Sequence, residues 1–292
     1  MSGAEIDARA DEGVGGANAT ELTEPTESTE PTEPTELSAG GDATDPRLYD
    51  EATRVVSGAT GDAVVVGVVH DHPASVYRAG RVVEAAGPDV VAVELPPLAL
   101  ELFESLPPAA ADPDATGDST GDDANRPNEM SAALAAADGA RTVGIDGIDP
   151  GFLRGLAGLL RREGATLDTV GDVARSVVGV GQQTLACSVA ARRGDTPDHD
   201  RIPRGGADYE VTAADPPVVQ AEDERRHRSR SRSLLRAIER PHADRLLDAA
   251  REDAMARRLA RRLEEGTVVA VVGFEHLDPV ADGLRAVQSE NR

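Results

Sequence analysis

The sequence predicts an α/β domain: a layered, mostly parallel sheet flanked by helices, behind a disordered acidic N-terminal tail. Three observations lead there. Four short valine-rich runs are bounded by turn residues, helical patterns that stop at glycine lie between them, and isolated polar residues stand at the carboxyl ends of the runs. The runs are continuously apolar rather than alternating, which calls for strands covered on both faces, as in a parallel sheet between helical layers.

Taken in chain order, residues 1–45 carry TEPTESTEPTEPTEL between glycine-rich flanks. With almost no large apolar side chain, this tail cannot bury enough surface to fold. AVVVGVV (63–69) is the first strand, Pro73 through Ala86 a helix ended by Gly87, and DVVAVEL (89–95) the second strand. PPAAADPDATGDSTGDDANRPN (107–128) is read as a disordered surface insertion. Glu129 through Asp138 is a helix ended by Gly139, and RTVGID (141–146) is the third strand. Prolines and glycines from about 192 to 220 mark another long polar loop. Arg245 through Glu265 is a helix ended by Gly266, followed by the strand TVVAVVG (267–273). The folded domain is thus expected over 46–292 with two insertions.

Composition narrows the function classes. The chain has 292 residues, 53 acidic against 30 basic side chains and a net charge of -23, and every basic residue is arginine. Such a chain stays hydrated and dispersed at molar salt, which points to a halophile's cytoplasm. A polyanion gains nothing from counterion release on nucleic acid, so no nucleic-acid partner is expected. The single cysteine, Cys187, cannot form an internal disulfide and is read as a small buried apolar residue. No signal-peptide pattern opens the chain, and the apolar runs are of strand length rather than bilayer length. A soluble cytoplasmic protein with no membrane contact is expected.

The chemistry sits at the strand ends, where ligands collect in open α/β sheets. His70 follows the first strand, Glu94 closes the second, Asp146 closes the third, and His276 lies three residues past Gly273. The first and last sites share a pattern, G-x-x-H-x-x-P, in GVVHDHP (67–73) and GFEHLDP (273–279). Glycine lets the chain turn sharply, and proline at the first helical position launches a helix facing the same crevice. Two neutral imidazoles and a carboxylate form the minimum set for a divalent metal with an open coordination position, which would activate water for hydrolysis. The same pattern is also compatible with two strand-to-helix turns carrying capping or core histidines. In the helix 244–266, Arg251 interrupts the apolar stripe Leu247, Met255, Leu259, Leu263. Either it pairs with Glu94 or Asp146, or it binds an anionic substrate group, or it snorkels to the surface.

The strand-GxxH unit, SVYRAGRVVEAAGPDVVAVEL (75–95), EMSAALAAADGARTVGIDGID (129–149) and AAREDAMARRLARRLEEGTVVAVVGFEHL (249–277) together resemble the TraB/PrgY (pheromone shutdown) family. That family is similar in core fold to TIKI metalloproteases, erythromycin esterases and ChaN-like proteins. The resemblance covers nearly all of the folded domain and implies a metal-dependent hydrolase or peptidase. It implicates His70, Glu94 and His276 as the metal or catalytic centre, Arg251 as the arginine of the family's R-(D/E)-x-x-M segment (REDAM, 251–255), and Asp146 as the third-strand aspartate. The chain departs from the family at Ala99 and Gly147, where arginines are usual, and at Val68, where a small hydroxyl residue is common. Membrane-associated members carry C-terminal hydrophobic helices, and this chain ends shortly after its last helix.

Two further features are read structurally. His72 could add a ligand, but at a helix start it is expected to cap or face solvent. RRHRSRSRSLLR (225–236) looks like a nucleic-acid-binding arginine-serine tract, yet between AEDE and leucines it reads as a solvated helix face with intrahelical ion pairs. The expectation is a hydrolase of peptide or ester bonds, acting on a peptide or small-molecule substrate with a divalent metal ion. Glu94, Arg251 and Asp146 would be its catalytic side chains. The alternative is a divergent, non-catalytic binding or regulatory protein.

Overall fold

The computed structural model describes residues 45–100, 128–192, 209–237 and 240–290, and for 180–192 the backbone alone. The expected tail up to residue 44, the expected insertion up to 127, residues 193–208 of the expected loop, and the side chain of Cys187 lie outside the described residues.

The fold is α/β, with a five-stranded mixed sheet in the order β1-β2-β5-β3-β4. The strands are β1 (Thr53–Ser57), β2 (Asp62–Val68), β3 (Val90–Val93), β4 (Arg141–Gly144) and β5 (Val268–Gly273). β2, β5, β3 and β4 run parallel, while β1 pairs antiparallel with β2. The four anticipated runs are thus the four parallel strands, and β1 is an addition. Its sequence TRVVS is short and polar at both ends, as expected of an edge that faces water. β5 inserts between β2 and β3, which places the last strand of the chain at the centre of the sheet, and all six of its residues are buried.

Helices cover both faces. The helices are α1 (Pro73–Ala86), α2 (Glu129–Ala135), α3 (Pro150–Arg162), α4 (Leu167–Arg192), α5 (Pro217–Ala237), α6 (His242–Arg262) and α7 (Phe274–Glu290). On one face Val65, Ala92, Ala270 and Val272 pack against Met255 and Leu259 of α6 and Leu277 and Leu284 of α7. On the other, Val64, Val66, Val91 and Val271 pack against Ala79 and Val83 of α1 and Met130 and Ala133 of α2. This is why the strands read as unbroken valine: every residue of the central strand meets a helix. Leu259 is fully buried in this layer, and truncating such a leucine to alanine costs about 2–5 kcal/mol.

Helix ends follow their local chemistry. Gly87 closes α1 in the left-handed conformation at φ 50°, where a side chain would be strained. Asn128 and Ser131 exchange side-chain-to-backbone hydrogen bonds in a capping box at the start of α2. α2 ends at Ala135 rather than at Asp138, with Gly139 (φ 77°) turning the chain into β4. α5 contains the arginine-serine tract and begins at Pro217, so the polar loop ends a few residues before the expected 220. α5 is joined to α1 through a buried network. Glu224, fully buried, accepts from Ser75, Arg78 and the Tyr49 hydroxyl. Burial pushes the Tyr49 phenol up to about 12. No helix among the described residues is long and apolar enough to cross a membrane.

Candidate functional site

The strand order brings the expected residues to one edge of the sheet. Because β5 lies between β2 and β3, the segments leaving these three strands are neighbours, and β4 adds the fourth. His70, Glu94, Asp146 and His276 therefore meet at the carboxyl ends of adjacent strands. Gly273 is the centre of the group. A Cβ there would lie 3.5 Å from Glu94 Oε2 and 3.8 Å from both His70 Nε2 and His276 Cδ2. The glycine thus lets three polar side chains, Glu94, His70 and His276, approach the backbone closely.

Each imidazole is held from behind by a glutamate. His70 Nδ1 lies 2.7 Å from Glu129 Oε1, and the other oxygen of Glu129 accepts from the Asp71 backbone at 2.9 Å. His276 Nδ1 lies 2.9 Å from Glu252 Oε1. In both rings Nδ1 is engaged with a carboxylate, which turns His70 Nε2 toward Gly273 and His276 Nε2 toward Glu94. The hydrogen bond to Glu129 raises the His70 pKa to about 9, against the opposing effect of burial. At His276 burial works to lower the pKa, but the Glu252 hydrogen bond and the charge of Glu94 outweigh it and the net shift is upward.

Glu94 and Arg251 complete the cluster. Glu94 Oε2 accepts from the Gly273 backbone N–H at 2.7 Å, and Glu94 Oε1 accepts from Arg251 at 3.1 Å and lies 3.5 Å from His276 Nε2. Arg251 also donates two hydrogen bonds to Asp146, at 3.2 and 2.7 Å, in a bidentate fork. Of the three roles open to Arg251, the structure places it in ion pairs with both Glu94 and Asp146. Burial works against its charge, yet Asp146 and Glu94 together raise its pKa.

The two G-x-x-H-x-x-P corners are built differently. After β2 the chain makes a loop, in which Asp71 adopts φ 58°, before Pro73 opens α1 at its first turn as expected. After β5 there is no loop. α7 begins at Phe274, so Pro279 lies inside the helix rather than at its start, a correction to the sequence reading. His276 consequently sits in the first turn of α7 and is buried, whereas the His70 side chain is 58% exposed.

Three residues at the site escaped the sequence reading. Glu129 and Glu252 are helical carboxylates in a chain full of them, although Glu252 lies next to Arg251 in the REDAM segment. Tyr209 donates its hydroxyl to the His70 carbonyl at 2.6 Å and sets its ring edge-on to His72. Burial pushes the Tyr209 phenol up to about 12. His72 caps α1 by accepting from the Ala74 N–H, as expected, but it is fully buried with Nε2 3.4 Å from Asp223 rather than facing solvent. Burial lowers its pKa.

Two imidazoles and a carboxylate are residue types that bind divalent metals, but His276 Nε2 already lies 3.5 Å from Glu94 Oε1 and 3.8 Å from Glu275, and the raised pKa values favour the protonated rings. As arranged, no group of three His, Cys, Asp or Glu side chains among the described residues is in position to hold one. No protein-family model, curated protein or solved structure matches this chain.

Proposed function

We propose that this chain is a hydrolase of peptide or ester bonds whose reaction takes place in the crevice over Gly273. The observation that carries the reading is the convergence of two glutamate-backed imidazoles on Glu94: His70 Nε2 and Glu94 Oε2 flank the Cβ position of Gly273, and His276 Nε2 lies 3.5 Å from Glu94 Oε1. The resemblance to the TraB/PrgY family leads to the same reaction class.

In this reading His70, His276 and Glu94 would close around a divalent metal by side-chain rotation, and the metal would supply Lewis acidity toward a water or a scissile carbonyl. Glu129 and Glu252 fix the ring orientation of the two histidines and keep Nε2 turned to the crevice. Arg251 orients Glu94 and neutralises part of the acidic cluster, with Asp146 gripping the guanidinium from the far side. Alternatively the histidines alone would hold the metal and Glu94, whose Oε2 lies beside Gly273, would be the general base that accepts a proton from an attacking water.

Gly273→Ala tests the reading without disturbing the fold. The added methyl meets its neighbours at ordinary contact distances. The expected outcome is a variant as heat-stable as wild type that loses at least about a hundredfold in turnover of peptide or ester substrates. The same protein loaded with zinc or manganese and dialysed should retain about one equivalent of metal, lost in His70→Ala and His276→Ala. A metal-free, inactive wild type would favour a second reading, a binding or regulatory protein. That reading has its own support: both oxygens of Glu94 are already engaged, by Gly273 and Arg251. Ala99 and Gly147 also stand where the resembled family has arginines.

A further inference from the structure

A second concave feature lies between α3 and α6 and shares no side chain with the crevice. It has a volume of about 330 Å3, and its walls carry five guanidinium groups, Arg154 and Arg162 from α3 and Arg257, Arg258 and Arg261 from α6. The groove exists because α3 turns glycines toward α6. Gly151, Gly155 and Gly158 recur at helical spacing along one face and offer no side chain to fill the gap. A Cβ on Gly155 would stand 3.4 Å from Asp253 Oδ2, and one on Gly158 would stand 3.5 Å from an Arg162 nitrogen. Buried Phe152 and Ala254 belong to the hydrophobic cluster beneath and are part of the lining.

The charge in this groove is not balanced. Two carboxylates line it: Asp253 pairs with Arg257 at 3.0 Å, and Asp149 with Arg258 at 2.8 Å. Arg258 also donates to the carbonyls of Ile145 and Gly147, which makes it a brace for the β4–α3 turn. Arg154, Arg162 and Arg261 form no ion pair among the described residues. Elsewhere the helix arginines commonly meet a carboxylate three residues away, as in Arg81–Glu84, Arg175–Asp172 and Arg285–Asp282. In a chain of net charge -23, carboxylates are abundant, so a concavity that gathers five arginines and leaves three unpaired is a local reversal of the field. The guanidinium fork matches phosphate oxygens two at a time, and residues at helical spacing on two facing helices can grip a ligand from both sides.

We propose that the α3–α6 groove binds a small molecule carrying a diphosphate group. Arg154 and Arg162 contact it from one wall and Arg261 from the other, while Arg257 and Arg258 supply further positive charge. This site goes beyond the crevice reading and does not depend on it, because binding is measured here with no turnover.

The test is calorimetric titration of the full chain with inorganic pyrophosphate and, separately, with ADP, in about 1 M KCl, where the screening length falls to about 3 Å and only direct contacts survive. Saturable one-to-one binding is expected for wild type. Arg154→Gln/Arg261→Gln should weaken it about tenfold or more while leaving the circular dichroism spectrum unchanged, since both residues are exposed. Tighter binding of ADP than of pyrophosphate identifies a nucleotide as the source of the diphosphate, and equal binding identifies the free anion. Wild type without saturable heat for either probe, or a folded double variant that binds as wild type does, overturns the proposal.

Discussion

The two corners that share the letters G-x-x-H-x-x-P use them for different work. At the first, Gly67 is a packing residue: a Cβ there would stand 2.7 Å from a Phe274 ring carbon and 2.9 Å from Leu277 Cδ2. At the second, Gly273 lies beside the polar cluster, and the atoms nearest to a Cβ there belong to Glu94, His70 and His276, all at 3.5 Å or more. His70 stands on a loop, half in water, while His276 is sealed into the first turn of α7. What the corners do share is absent from the motif. Each imidazole has a glutamate on Nδ1, supplied by a different helix, α2 for His70 and α6 for His276. Equivalence at the site is created by tertiary contacts, and a repeated motif is only the part of it that happens to be local.

The comparison breaks most visibly through stability. His276→Ala strips a buried partner from Glu252 and Glu94 at once and should destabilise the fold by about 2–4 kcal/mol. His70→Ala removes a half-exposed ring but also a partner of buried Glu129, which keeps the Asp71 N–H, and should cost less, about 1–2 kcal/mol. Urea unfolding of the two variants checks this, and equal losses would mean that the corners are structurally equivalent after all. Gly67→Ala is expected to cost about 1–3 kcal/mol through overpacking against Phe274 and Leu277, while Gly273→Ala should leave the midpoint unchanged. A stable Gly67→Ala variant would show that the first corner has the same free space as the second.

The contrast sharpens further through the glutamates. Glu129→Gln and Glu252→Gln keep side-chain size but weaken the grip on Nδ1, and each should lower the affinity for an added divalent metal about 10- to 100-fold. Competition of the protein with a metal-sensitive dye measures this. A loss confined to one variant would assign the metal to one corner alone, and no loss in either would remove the glutamates from the site.

Much of this arrangement is legible in the sequence, for a physical reason. Strands buried on both faces must be apolar throughout, so β2, β3 and β5 stand out as valine runs, and a polar residue at the end of such a run is conspicuous. His70, Glu94, Asp146 and His276 stand out in this way. Arg251 stands out because it interrupts an apolar helical stripe. The edge strand β1 is not legible because TRVVS has only two apolar residues and no alternation, and α3 and α4 are not because their glycines and polar residues blur the helical period. Glu129 and Glu252 were hidden by abundance: among 53 acidic side chains, nothing local distinguishes a carboxylate that will meet an imidazole from one that will meet solvent. The register of β5 between β2 and β3, which assembles the site, is a long-range pairing that no local pattern encodes.

The smallest expected effect lies in the pH dependence of the metal-free protein. The hydrogen bond that His70 donates to Glu129 lifts the His70 pKa to about 9, above its ordinary value of 6.5. A group whose pKa is higher in the folded state than in the unfolded one stabilises the fold fully below the unfolded value, and that contribution is lost as pH rises through the folded value. Stability should therefore decline between about pH 6.5 and pH 9, with His276 shifted in the same direction and adding to the slope. The decline is modest because water screens a ring that is more than half exposed. Urea midpoints measured across this range for wild type and Glu129→Gln separate the corners: the variant should lose the part of the slope that belongs to His70 and keep the part that belongs to His276. If the two proteins trace the same curve, the Glu129 contact does not hold a proton on His70 in solution, and the exposed corner is free to turn its ring.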